Sequence, residues 1–245
     1  MENAGYIALS RQMTLRRELD IAANNLANVD TAGFKVEKLL IATENGTRAR
    51  NLGIDGPGRF VLDTGLGRDF GQGAMRQTGN TFDFAVEGQG FFAVGGPEGE
   101  RYTRDGRFSP DSSGRLVTHD GLPVLGEGGS EIILDMTKGP PSVSADGIIS
   151  QGTERVGRLQ AVRFEAMSVL SKDGDGYYRN TSNETPSPDT EARIRQGMVE
   201  GSNVQPIVQI TNLIEISRAY ERMAKLIDSS NDLNRRTVER LGRVS

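Results

Sequence analysis

The 245-residue chain has no cysteine and no tryptophan, a single histidine, and aromatic residues at only 6%. Without cysteine there can be no disulfide, no thiol nucleophile and no thiolate metal site. Lys and Arg total 29 against 33 Asp and Glu, a formal charge of −4. The basic excess that a phosphate backbone demands is missing, so nucleic acid is not an expected partner. No run approaches the ~20 apolar residues of a membrane helix, which argues against membrane insertion. The opening Met1-Glu2-Asn3-Ala4-Gly5-Tyr6 has no basic n-region, and Arg11 interrupts any apolar run. A cleaved secretory signal is therefore not expected.

Catalytic patterns are missing as well. There is no G-x-S-x-G, Walker A loop or H-E-x-x-H. His119 sits in the turn Thr118-His119-Asp120-Gly121, where an imidazole is more often a surface residue than a ligand. Gly88-Gln89-Gly90 and Gly126-Glu127-Gly128 lack the third glycine and following helix of a phosphate cradle. Asp173-Gly174-Asp175-Gly176 with Glu184 imitates a calcium loop, but Tyr177 and Tyr178 stand where a ligand and a glycine belong. Asp105, Asp111 and Asp120 occupy turn contexts that favour aspartate for structural reasons. The expectation is a protein without catalytic residues, metal or cofactor. A carbohydrate-acting enzyme using Asp105 or Asp120 stays open as an alternative.

What the chain does have is glycine, at 31 residues, and two ends that resemble each other. In the first end, Ala8, Gln12, Leu15, Leu19, Ala22, Leu26 and Val29 recur by fours and threes, a coiled-coil-like seam. Gly33 is a plausible stop. In the second, Ser202, Gln205 and Pro206 form a helix-start signal. Ile210, Leu213, Ile216, Tyr220, Met223 and Ile227 follow at helical spacing, and the stripe thins to Leu233, Val238 and Leu241. Asn24, Asn25 and Asn28 interrupt the first helix with amides. Such a stripe fits either a packed interface of fixed register or a solvated helix end.

Between the ends the period changes to two. Phe82 to Val86, Phe91 to Val94, Arg101 to Arg104, Leu116 to Thr118, Val124-Leu125, Ile132 to Leu134, Ile148-Ile149 and Val156 to Phe164 are short runs parted by Asp-Gly and Gly-Gly turns. That is the pattern of antiparallel hairpins. The fold class expected is α+β, with the two terminal helices forming a coiled-coil-like module around a central, mainly antiparallel β domain. The boundaries read as 1–35 for the N-terminal helix, 36–80 for a linker or extended arm, 81–195 for the β domain and 196–245 for the C-terminal helix. Periodicity alone favours an intramolecular helical hairpin, which leaves a soluble β-domain binding module as a second reading.

Three segments in order carry a family resemblance. Ala23 through Lys35 (Ala-Asn-Asn-Leu-Ala-Asn-Val-Asp-Thr-Ala-Gly-Phe-Lys) resembles the N-terminal signature of bacterial flagellar rod and hook proteins. Gly201-Ser202-Asn203-Val204 with Arg218-Ala219-Tyr220-Glu221 resembles the matching C-terminal signature. Val86-Glu87-Gly88-Gln89-Gly90-Phe91-Phe92 and Tyr102-Thr103-Arg104-Asp105-Gly106 resemble the central domain of the larger members. Val124 through Gly129, Val156-Gly157-Arg158-Leu159 and Pro206 look more like the proximal rod subunits, whereas Tyr102 through Gly106 and Arg218-Ala219-Tyr220 also suit the distal subunit, which stays open as the alternative.

The resemblance implies a structural, polymerising subunit of the flagellar basal body. It would be exported by the flagellar type III apparatus and stacked helically into the rod, the drive shaft that transmits torque from motor to hook. Its partners would be copies of itself, other flagellar rod subunits and the export apparatus. The assembly interface would comprise Leu15, Leu19, Ala22, Asn24, Asn25, Leu26, Asn28, Val29, Gly33, Phe34, Asn203, Ile210, Leu213, Ile216, Tyr220, Met223 and Ile227.

Overall fold

In the computed structural model, which describes residues 2–45, 59–174, 176–182 and 184–241, the first element is helix α1, Glu2–Ala27. It ends six residues before Gly33, the stop expected from sequence. Asn24, Asn25 and Asn28 cluster at that end, and asparagine competes with the helix for backbone hydrogen bonds. The chain turns instead, with the Thr31 N–H donating to the Asn28 carbonyl at 3.3 Å. Two strands follow, β1 (Glu37–Asn45) and β2 (Arg59–Arg68). They pair antiparallel from Glu37 opposite Arg68 to Asn45 opposite Arg59, with an irregularity between Leu40 and Ile41. A long helix, α2 (Pro206–Leu241), closes the chain. At 36 residues it is roughly 54 Å long.

The chain forms an α+β structure of two compact units. One comprises 1–27, 37–68 and 205–245, and the other 28–36 and 69–204. In the first unit, α1 packs on α2, β1 and β2. The stretch expected to be a linker or arm, 36–80, thus contains paired strands, while its residues 46–58 lie outside the described residues. The expected C-terminal module, 196–245, begins in strand: Met198–Glu200 pairs with β3 (Met75–Gln77) in the second unit, and only Pro206 starts the helix. Residues 242–245 also lie outside the described residues.

All strand pairings in the second unit's described residues are antiparallel. Its largest sheet is organised around β5 (Phe91–Gly96), which pairs with β6 (Gly99–Thr103), Ala161–Arg163 and Val124–Leu125. Strand β4 (Phe84–Glu87) lies elsewhere, beside Arg193–Gln196. Phe91, Phe92 and Val94 are fully buried and Ala93 nearly so, which breaks the alternation expected of a half-exposed strand. The reason is that both faces are covered. Phe92 and Val94 enter a cluster with Phe84, Phe108, Val124 and Leu159, whereas Phe91 and Ala93 enter another with Tyr102, Leu125, Phe164 and Tyr178. Successive side chains of one strand therefore feed two cores. Tyr177-Tyr178 and Val124-Leu125 divide in the same way.

Candidate functional site

In the first unit, α1 buries Ala8, Leu15 and Ala22, seven residues apart, with Leu19 and Leu26 half-buried beside them. That is the expected seam. Val29, next in the series, lies beyond the helix, and in the second unit it packs with Phe34, Val36 and Val204. Gln12 is half-buried, and the buried Thr14 hydroxyl donates to the Ser10 carbonyl at 3.0 Å.

The amide residues separate into distinct tasks. Asn24 is exposed. Asn25 is buried, and its side chain accepts from the Glu37 N–H at 2.9 Å while donating to the Glu37 carbonyl at 2.8 Å. It thereby pairs with the first residue of β1 as a neighbouring strand would, and its Nδ2 also lies 3.5 Å from Gln209 Oε1 on α2. The Glu37 carboxylate is paired with Arg68 at 3.2 Å. A groove of about 380 Å³ among α1, β1 and α2 is lined by Ile21, Leu39 and Ile216 together with Glu18 and Glu215.

Helix α2 opens with Pro206 as its first residue, where the missing N–H costs nothing. The Ser202 hydroxyl does not cap it but accepts from the Val204 N–H at 3.2 Å. Leu213, Ile216, Tyr220, Met223 and Ile227 are half-buried, whereas Ile210 is exposed. Further apolar side chains that the stripe did not include are open too: Ile207 at 81%, Val208, Ile214, Leu226 and Leu233. On α1, Leu9 and Met13 are also exposed.

In the second unit, the segments that lead out of α1 and into α2 are tied together. The Gly33 N–H donates to the Glu200 carbonyl at 2.8 Å, and the Asn203 N–H to the Phe34 carbonyl at 3.3 Å. Asn203 Oδ1 accepts from the Val36 N–H at 2.8 Å, and its Nδ2 donates to the Asp69 and Gly71 carbonyls. Gly33 has φ +69°, and a Cβ there would fall 2.6 Å from the Arg104 carbonyl carbon. Phe34 is buried with the Lys172 ammonium 5.4 Å from its ring centre. Asn28 accepts from the Thr31 hydroxyl at 3.2 Å.

At the centre of these ties is an ionic cluster that sequence reading missed. Lys35 and Glu200 meet at 2.6 Å with both side chains fully buried. Arg104 Nη1 donates to the other Glu200 oxygen at 3.1 Å, and the Gly73 N–H donates to Glu200 Oε1 at 2.7 Å. Lys35 also donates to the Gly71 carbonyl at 2.8 Å, and Arg104 Nη2 to that of Gly88 at 2.9 Å. The Arg104 guanidinium stacks 4.8 Å above the Phe91 ring, and its Nε is buried with no acceptor. Burial pulls the pKa values of Lys35 and Arg104 down, and Glu200 opposes that in each. Lys35 and Arg104 stand in segments that carry the family resemblance, but nothing in the local sequence of the three shows that they meet.

The residues weighed for catalysis have local partners. Asp105 pairs with Arg107 at 2.6 Å and Asp111 with Arg115 at 2.9 Å. Asp120 accepts from the Tyr177 hydroxyl at 2.7 Å. His119 is exposed. Asp173 of the would-be calcium loop pairs with Arg101 and Arg179, and Asp175 lies outside the described residues.

Three families match along the chain. The flagella basal body rod protein family covers residues 6–35, the flagellar hook protein FlgE/F/G D1 domain covers 85–151, and the C-terminal family of the flagellar basal body rod FlgEFG proteins covers 195–240. The chain is 55% identical to the flagellar basal-body rod protein FlgF of Caulobacter vibrioides, over the whole of both chains. The chain belongs to the flagellar basal-body rod protein family. The FlgF protein of Mesorhizobium japonicum is 35% identical over the whole of both chains. The FlgG protein of Bacillus subtilis is 29% identical, covering 93% of this chain and 95% of its own. The rod protein is a structural subunit of the basal body, and no helix among its described residues is long and apolar enough to cross a membrane.

Proposed function

We propose that this rod protein builds the proximal part of the rod by helical polymerisation, and that its termini, 1–35 and 196–245, act as one coiled-coil-like assembly module beside the β domain, 81–195. The observation that carries this reading is the open apolar surface of α2: Ile207, Val208, Ile210 and Ile214 are all exposed on its first turns. A soluble monomer rarely leaves so many large apolar side chains together in water, and copies of related helices offer the surface that would cover them.

Of the interface residues expected from sequence, the half-buried Leu19, Leu26, Leu213, Ile216, Tyr220, Met223 and Ile227 and the exposed Asn24 and Ile210 are available to neighbours. Leu15, Ala22, Asn25, Gly33, Phe34 and Asn203 support that surface from within the chain, as do Asn28 and Val29. The partners are copies of the chain and other flagellar rod subunits, and the subunit reaches the rod through the flagellar type III apparatus. Replacement of Ile210 or Ile216 by Asp is expected to abolish rod assembly and motility while the purified protein keeps its β-sheet circular dichroism. A motile strain carrying Ile210→Asp at normal abundance would refute the reading.

A further inference from the structure

The chain passes between its two units at four places, 27/28, 36/37, 68/69 and 204/205. Residues beside all four share one network inside the second unit. Val29 packs on Phe34, Val36 and Val204. The Asp69 N–H donates to the Val36 carbonyl at 3.0 Å, and Asn203 joins Val36, Asp69 and Gly71. Beneath them is Glu200, whose carboxylate accepts from Lys35, Gly73 and Arg104 while its carbonyl accepts from Gly33.

A buried ion pair is a poor source of net stability, because desolvating the charges offsets most of their attraction. Apolar side chains of similar volume would bury the same space without an unpartnered Arg104 Nε. What they could not supply is direction. The Gly73 N–H and the planar Arg104 guanidinium donate along fixed directions, so their bonds to the carboxylate, with the Gly33 N–H on the Glu200 carbonyl, tie together the placement of residues 33, 73, 104 and 200. Close packing reinforces this: a Cβ on Gly73 would fall 2.0 Å from the Gly201 carbonyl oxygen.

We infer that Glu200, with Lys35 and Arg104, is a positioning device that holds the chain leaving α1 and the chain entering α2 in a single frame. The device belongs to the monomer and does not depend on how the rod assembles.

Hydrogen exchange on the full-length wild-type chain tests it first. The Gly33 and Gly73 amides should exchange in the same slow class as those of Phe92 and Val94, opening only with the core. Exchange at the rate of exposed-loop amides would overturn the inference. The second arm is Glu200→Gln, which keeps the shape and removes the charge. Protection at Gly33, Val36 and Gly73 should drop at least 100-fold while Phe92 and Val94 keep theirs. Spin labels on Ala23→Cys and Asn212→Cys, placed in a chain with no other cysteine, should give a broadened distance distribution in the same variant. An unchanged distribution with unchanged protection would count against the device. So would an equal loss of protection throughout β5, which would mark the cluster as ordinary core support. If the variant does not fold, the wild-type exchange pattern decides alone.

Discussion

The two units bury their apolar residues in opposite ways. Of the thirteen large apolar side chains that stand exposed among the described residues, eleven belong to the unit of α1, β1, β2 and α2, and only Ile133 and Met136 to the β unit. The β unit places even adjacent residues of one strand into two separate cores. The helical unit spends Ala8, Leu15 and Ala22 on itself and leaves Ile207, Ile210 and Ile214 in water. One unit is finished as a monomer, and the other keeps surface in reserve. On the function proposed above, that open surface is what neighbouring subunits would cover.

The comparison is tested most severely in the β unit. Phe92→Ala removes a fully buried ring at the strand between the two cores. It should cost about 3–5 kcal/mol, read as a lowered midpoint in urea unfolding. Leu15→Ala, at a buried position of α1, should cost about 2–3 kcal/mol, and helical circular dichroism should be lost before the β signal. If both signals fall together, the two units fold as one and the contrast drawn above fails.

Alkali should also separate the units. Burial, with a hydrogen bond to Asp120, pushes the Tyr177 phenol up to about 12 from 10.0. The unfolded chain would lose that proton first, so the stabilisation is complete below about pH 10 and disappears as pH rises toward 12. Tyr177→Phe should flatten the decline of the β signal across this window in a pH titration of thermal unfolding. The smallest effect is expected at Ile210→Ala, within about 0.5 kcal/mol in the monomer. A larger loss would mean that Ile210 already has an internal partner.

Which parts were legible in the sequence follows from the same contrast. The seam at Ala8, Leu15 and Ala22 and the half-buried stripe of α2 were readable, because a helix that buries one face must repeat. So were the short strands, which their turns punctuate. The strands at 37–45 and 59–68 lie in a stretch whose sequence suggests only an arm. Apart from Phe60-Val61-Leu62 their sequence gives little alternation, and pairing between them, which composition does not show, makes them a ribbon. Gly33 looks like a helix cap in the sequence, but its positive φ serves close packing on Arg104, and α1 ends earlier, at Ala27. The meeting of Lys35, Arg104 and Glu200 is invisible in the sequence for a more general reason. A buried charge is betrayed by its partners, and these lie 69 to 165 positions apart in the chain.

Asn25 shows how narrow such an arrangement can be. Its amide both gives a hydrogen bond to Glu37 and receives one, and no carboxylate can do the two at once near neutral pH. Hydrolysis of that amide to aspartate, the slow ageing reaction of asparagine, exchanges one NH₂ for one oxygen. The carbonyl it served would then face a negative charge 2.8 Å away. A single atom would turn the fastening of β1 on α1 into a wedge, and the helical backbone and burial that hold Asn25 in place also shield it from that chemistry.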